Sequence, residues 1–318
     1  MFETSMTNNV IAAAPYSLRP PSPPFIHIPP TGQGNSLNKP PRLTPSYTHV
    51  NSSLLTHADI DIITQNKSQV ATDKTADWSY ELRRKAQPVV DFIYVGPTSV
   101  VRNHAFLKSE GITMILVARD ARMSSIPLMS VEKAASELGL EYHYVDIEGC
   151  HQTVSEFSGI IYTINNHMLS VYHSQARGSD QGGDSIDPSS FRRGKVLITC
   201  ESGNDRSAAI VAAYLMAMFK ESMVHVLQFI NAQRFCCIFD EDIKRKLQSW
   251  EDLLAARAQV AQSLPPLEPG AAPASSLSKR HIDEIDMDEL TLDDADQPIM
   301  DRDRFEGRDA FAPFMDQT

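Results

Sequence analysis

The chain reads as an α/β domain built on a mostly parallel central sheet, and three observations predict it. Apolar runs of strand length alternate with longer segments of helical spacing from residue 77 to about 260. The run "ITMILVA", 112–118, is continuously apolar, as expected of a strand buried on both faces. Gly111 and Gly139 close helical segments where the chain turns into its next strand.

In order along the chain, "DFIYVG", 91–96, has strand composition and stops at Gly96-Pro97. "SVVRNHAFLKSEG" reads as a helix, followed by the "ITMILVA" strand and the short helix "SVEKAASELG". "EYHYVDI", 141–147, is the next strand, and "TVSEFSGIIYTINNHMLSVY" is a long amphipathic helix. A polar, Gly-rich stretch at about 174–191 predicts a loop insertion. "KVLIT" is a short buried strand that runs into Cys200, and helical spacing resumes at Arg206 through "AAIVAAYLMAMF". Two further helices are expected, over "SMVHVLQFINAQ" and "DEDIKRKLQSWEDLLAARAQVA".

Both ends read as tails. Residues 1–76 are rich in Pro, Ser, Thr and Asn, a composition that does not bury enough surface to offset ordering entropy. They are expected to be disordered, with "PPSPP" either a solvated tract or a polyproline ligand. Residues 261–318 turn to Pro, Ala and Ser and then to the acidic "IDEIDMDELTLDDADQP", again an expected disordered tail. The 318 residues carry a net charge of -11, which argues against nucleic-acid or anionic-membrane binding. No run of apolar residues is long enough to span a bilayer, and the N-terminus has no secretory pattern. The four cysteines, Cys150, Cys200, Cys236 and Cys237, form no CxxC pair, so neither a zinc site nor any other metal or cofactor is expected. Their scarcity suits a reducing compartment, cytosol or nucleus.

The chemistry concentrates in "TCESGNDRSAAIVAAYLM", 199–216. A strand–loop–helix unit turns backbone N–H groups and a helix N-terminus towards an anion. Gly203 lets the loop curl, and Arg206 offers a planar fork suited to two phosphate oxygens. Cys200 sits at the centre of those dipoles, where a thiol sheds its proton more readily than the free side chain, of pKa about 8.5. Ser207 is placed to hydrogen-bond the sulfur. The catalytic candidates are Cys200, Arg206 and Ser207; the phosphate-binding candidates are Glu201, Ser202, Gly203, Asn204, Asp205 and Arg206.

This unit resembles the signature loop of the dual-specificity protein phosphatases, and the resemblance extends over residues 77 to about 257. With "DWSYELRRKAQPVVDFIYVGP", "LKSEGITMIL", "VDI", "NAQRFC" and "LQSWEDLLAAR", the chain is similar to the serine/threonine/tyrosine-interacting protein (STYX) family, a pseudophosphatase branch. The resemblance implies a cysteine-dependent phosphatase fold. It also implies a loop-supporting role for Arg234 and binding to phosphorylated proteins, signalling kinases or F-box ubiquitin-ligase subunits. That branch has lost its nucleophile, whereas Cys200 is present here.

Against active relatives, three departures weigh on turnover. Thr199 stands where they carry histidine. Gly149 stands at the general acid's place, and loss of such help costs roughly 10²–10⁴-fold. Asp146 or Glu148 is the substitute, unless strand alternation turns both away. Glu201 and Asp205 add negative charge; at ~6 Å and an effective dielectric near 20, a carboxylate opposes a unit charge by about 3 kcal/mol. Asp205 pairing with Arg206 or Arg234 would neutralise it. Cys236 and Cys237 read as packing residues, and a Cys150–Cys200 disulfide is weighed against coincidence. Trp78 and Tyr80 are expected to pin the N-terminal segment to the core. Two functions stand: an interaction protein in the cytoplasm or nucleus, or a slow cysteine-dependent phosphatase.

Overall fold

Five strands make the central sheet: β3 (Gln87–Val90), β4 (Ile93–Pro97), β7 (Val196–Cys200), β5 (Met114–Asp120) and β6 (Glu141–Ile147), in that spatial order. Only the β3–β4 pair is antiparallel; the other three pairs are parallel. This is the mostly parallel α/β sheet the sequence predicts. The computed structural model describes residues 25–29, 40–51, 54–72, 77–147, 149–181 and 191–263, all within one compact unit, Met1–Pro265. A second unit, Pro266–Thr318, lies outside the described residues, as does the rest of the expected acidic tail beyond Ser263.

Seven helices accompany the strands among the described residues: α1 (His57–Thr64), α2 (His104–Glu110), α3 (Met129–Leu138), α4 (Gly149–Gln181), α5 (Arg206–Phe219), α6 (Met223–Gln233) and α7 (Glu241–Ser263). One face of the sheet packs a small core with Leu107, Val131 and Ala134 of α2 and α3. The other face packs the larger core, in which every residue of α5 from Ser207 to Phe219 is buried. A helix apolar on all sides belongs in the interior, and α5 is the axle around which α4, α6 and α7 pack. Trp250 of α7 anchors there by donating Nε1–H to Ala213 O.

The predicted helix over 99–111 is two pieces. A 3-10 turn covers Thr98–Arg102, and α2 starts afresh because the Asn103 side chain caps the amide of Phe106. Strand β3 escaped the sequence reading: Pro88 in "QPVV" reads as a strand breaker, yet β3 is an edge strand, where proline is tolerated. The loop insertion expected at 174–191 is helical as far as Gln181, because α4 runs on. Gln175 fixes this extension by exchanging two hydrogen bonds with the Arg192 backbone. Residues 182–190 lie outside the described residues.

The expectation of a disordered tail over 1–76 needs correction where those residues are described. Arg42–Leu43 (β1) and Gln69–Val70 (β2) form a two-stranded antiparallel ladder around α1. Helix α1 is closed at its start by a Thr56–Asp59 capping box. Leu43, Ile60 and Ile63 are within 1% of complete burial in the main core. Ser46 N–H and His49 reach the carbonyls at the end of α5, and Thr72 donates to Gln233 of α6. Average composition concealed these few apolar residues, of which Ile60 and Ile63 are spaced to bury one face of "HADIDIIT". Residues 1–24, 30–39, 52–53 and 73–76, with "PPSPP" among them, lie outside the described residues.

Candidate functional site

The strand order places the loop. Strand β7 is the middle strand, flanked by β4 and β5; it leads into α5 on one face of the sheet, whereas β4 and β5 lead into α2 and α3 on the other. The crevice at the carboxyl end of such a strand is where open α/β sheets bind ligands. Cys200 ends β7 fully buried, residues 201–205 make the loop, and Arg206 opens α5.

The loop wraps around the Cys200 sulfur. Gly203 N–H donates to Sγ at 3.2 Å, and Ser207 Oγ lies 3.1 Å from it. Gly203 has φ +73, and a Cβ there would stand 2.3 Å from the Gly96 carbonyl carbon and the Pro97 nitrogen. Only glycine allows both that backbone conformation and that approach. Thr98 Oγ1 donates to the Cys200 carbonyl at 3.0 Å, tying loop to β4. Thr199 is buried; its hydroxyl stands 3.4 Å from both the Leu116 carbonyl and Thr98 Oγ1, and so it braces the sheet.

Arg234, at the end of α6, is completely buried beneath the loop. It donates to Gly203 O and Asn204 Oδ1 of the loop, and to Arg83 O, Lys85 O and Gln87 Oε1 of the preceding segment. Ile238 N–H donates to Asn204 O at 2.8 Å. The loop-supporting role expected of Arg234 is thus visible in its contacts. The Trp78 ring packs at a tilt against Phe235 close by, whereas Tyr80 is exposed and is bound by Arg83.

Asp205 turns its carboxylate towards the Cys200 sulfur. Its Oδ1 accepts the Cys200 thiol at 3.0 Å, the Ser202 hydroxyl at 3.3 Å and the Arg206 amide at 2.7 Å. Burial pushes the Asp205 carboxyl up, but the Cys200 and Arg206 hydrogen bonds and the Arg206 charge outweigh it, and the group titrates below the usual carboxylate range. Asp205 therefore meets Arg206 through the backbone, while Arg234 directs its donors elsewhere. Glu201 is exposed, where solvent weakens its field. Ser202 is half-buried, and Gly203 and Asn204 are buried.

The Arg206 guanidinium stands 3.6 Å from Asp120 Oδ2 at the end of β5. Hydrogen bonds from Arg122, with a smaller contribution from the Arg206 charge, hold the Asp120 carboxyl well below its usual range. Asp120 was missed by the sequence reading because nothing in "LVARD" reveals that β5 lies beside β7. Asp146 sits in register with Arg119 and is bound by its guanidinium, with Arg119 Nη2 donating to Oδ2 at 3.2 Å. Alternation along β5 puts Arg119 on the face opposite Asp120, so Asp146 faces away from Arg206 and is no substitute acid. Gly149 is the first residue of α4. Glu148 and the side chain of Cys150 lie outside the described residues, and with them the disulfide question. Cys237 is buried, its thiol pushed up by burial to about 12, consistent with packing; Cys236 is half-buried.

Comparison with known proteins agrees with this geometry. The family model described as "Dual specificity phosphatase, catalytic domain" matches residues 181–253, a span holding β7, the loop and α5. Over that span the chain is similar to the dual-specificity phosphatase superfamily. Within it the chain is similar to the serine/threonine/tyrosine-interacting proteins. It is 25% identical to that of Mus musculus over 198 residues, covering 62% of this chain and 77% of the relative. It is 25% identical to that of Homo sapiens over 194 residues, covering 60% and 75%. Similar solved structures include the human tyrosine phosphatase-like serine/threonine/tyrosine-interacting protein, with TM-score 0.38, 20% identity, and 54% and 99% coverage. Another is a leucine rich repeat and phosphatase domain containing protein from Entamoeba histolytica, with TM-score 0.41, 15% identity, and 55% and 96% coverage.

Proposed function

We propose that this phosphatase-fold protein acts as an interaction module, a pseudophosphatase that engages phosphorylated or signalling partners without turning them over. The observation that carries this reading is the Asp205 carboxylate seated on the Cys200 thiol. That carboxylate accepts hydrogen bonds from the thiol and from the Arg206 amide, and the amide is a donor that a phosphoryl group would need. A thiol donating to a carboxylate is not the thiolate that attacks phosphorus. The absence of a carboxyl group at Gly149 and the pairing of Asp146 with Arg119 leave the leaving group without a proton donor at those positions. A phosphate entering the loop competes with Asp205 for the same donors. Phosphoproteins, signalling kinases and F-box subunits are the partner classes that fit the similarity to the interacting proteins, in the cytoplasm or nucleus.

A second reading is slow phosphatase chemistry. It is favoured by the Gly203 N–H and Ser207 hydroxyl, which remain on the sulfur at 3.2 and 3.1 Å as a thiolate requires. In that case Cys200 attacks phosphorus, the leaving group departs, and water hydrolyses the phosphocysteine. Hydrolysis of an aryl phosphate, whose good leaving group needs little acid assistance, separates the two. Phosphopeptide binding that depends on Arg206, with no hydrolysis by wild type or Cys200→Ser, is expected. Hydrolysis lost in Cys200→Ser supports the enzyme instead.

A further inference from the structure

Residues 25–29, "FIHIP", lie extended across α6 and α7. Their burial alternates: Phe25 and His27 are exposed, whereas Ile26 and Ile28 pack on the main core. Period-two alternation is how an extended segment reads a surface. Three polar side chains of the helices read its backbone: Glu241 accepts from Ile26 N at 3.0 Å, Lys244 donates to Ile26 O at 2.8 Å, and Gln228 donates to Pro29 O at 2.7 Å. Backbone recognition plus pockets for alternate side chains is the logic of extended-peptide docking.

The segment does not fill its seat. A cavity of about 380 Å³ remains between it and the helices. Asn231 of α6 lines that cavity, and its buried Oδ1 has no hydrogen-bond partner among the described residues. A spare acceptor and spare volume sit where a longer or differently placed peptide would bring further N–H groups. The wall of the cavity includes Cys237 and Phe239, which flank the Ile238 amide held by Asn204 of the Cys200 loop.

We propose that the α6–α7 groove is a docking site for extended, proline-flanked peptides with β-branched apolar residues at alternate positions, and that residues 25–29 occupy it in cis as a pseudo-ligand. A partner segment of that chemistry displaces the internal one. This surface is separate from the anion chemistry of the loop, and its occupant is an unphosphorylated apolar strand.

The test uses the full chain and a fluorescent peptide copying residues 21–30, PSPPFIHIPP. Fluorescence anisotropy measures its binding to wild type and to the Ile26→Asp/Ile28→Asp variant, whose own segment no longer fits. The variant is expected to stay folded by circular dichroism and to bind the peptide at least about tenfold tighter than wild type. Adding Lys244→Ala should weaken that binding at least about fivefold, and a peptide with both isoleucines changed to Asp should not bind. Equal binding by wild type and variant, or no binding by a folded variant, overturns the proposal. A variant that unfolds makes the segment a permanent brace, and overturns it too.

Discussion

Cys200 Sγ and Asp205 Oδ1 stand 3.0 Å apart, thiol donating to carboxylate, across the loop that joins β7 to α5. In the function proposed above, the loop is an anion cradle and Asp205 is the chain's own anion placed in it. The same carboxylate caps α5 through the Arg206 amide, so one side chain both starts the helix and meets the Cys200 sulfur. This relationship has consequences for stability and for binding.

The first consequence concerns pH. The Asp205 carboxyl titrates lower in the folded chain than in the unfolded one, where Asp lies near 3.9. Its contribution to stability is therefore fully present above about pH 4–5 and is lost as pH falls through the folded-state value. Urea denaturation of wild type and Asp205→Asn should give a gap at pH 7 that closes on acidification. A gap that widens towards low pH contradicts this assignment.

The buttress beneath the loop should be as costly to remove. Arg234→Ala strips five hydrogen bonds, three of them from buried acceptors, of which two are on the loop. Each orphaned buried acceptor costs about 1–3 kcal/mol, so a loss of at least about 3 kcal/mol is expected in chemical denaturation. Arg234→Lys should recover little, because an ammonium does not span the same fork of acceptors. A loss under about 1 kcal/mol for Arg234→Ala would show the loop standing without it.

Gly203→Ala meets two obstacles: φ +73, and a Cβ 2.3 Å from the backbone of Gly96 and Pro97. Strain at positive φ alone costs about 1–2 kcal/mol, and the clash with rigid backbone adds to it. A melting temperature lower by more than about 5 °C is expected. By contrast Gly139→Ala, with φ +66 but open space around its Cβ position, should lose only the strain. Equal losses at the two sites would contradict the close approach of loop to β4.

The N-terminal segment supplies a sharper contrast. Leu43 is fully buried and Val70, in the partner strand, is 42% exposed. Leu43→Ala should cost about 2–5 kcal/mol and Val70→Ala well under 1 kcal/mol, both read from urea midpoints. Equal small effects would return residues 40–72 to the status of a tail.

How much of this was legible in the sequence follows from what local pattern encodes. Strand β6 and helix α5 were readable almost to the residue, since an apolar run bounded by turn residues is a local signal. The Cys200–Arg206 loop was readable because strand, glycine and helix follow one another directly. Asp120 was not, since its closeness to Arg206 depends on β5 lying beside β7, a property of strand order. Nor was the seat of Asp205 on Cys200: sequence placed a carboxylate near the loop, and only side-chain geometry shows that it turns inward. Leu43, Ile60 and Ile63 were hidden by the proline-rich average around them, and the edge strand β3 by its proline.

The most direct measurement is calorimetric titration of inorganic vanadate or phosphate into wild type and Asp205→Ser. Serine keeps a capping oxygen for α5 and removes the competing charge. If the carboxylate holds the cradle, Asp205→Ser binds the oxyanion at least about tenfold tighter, a difference of about 1.4 kcal/mol, and the gain disappears when Arg206→Ala is added. Equal affinity in wild type and Asp205→Ser would mean that the carboxylate does not stand in the anion's place.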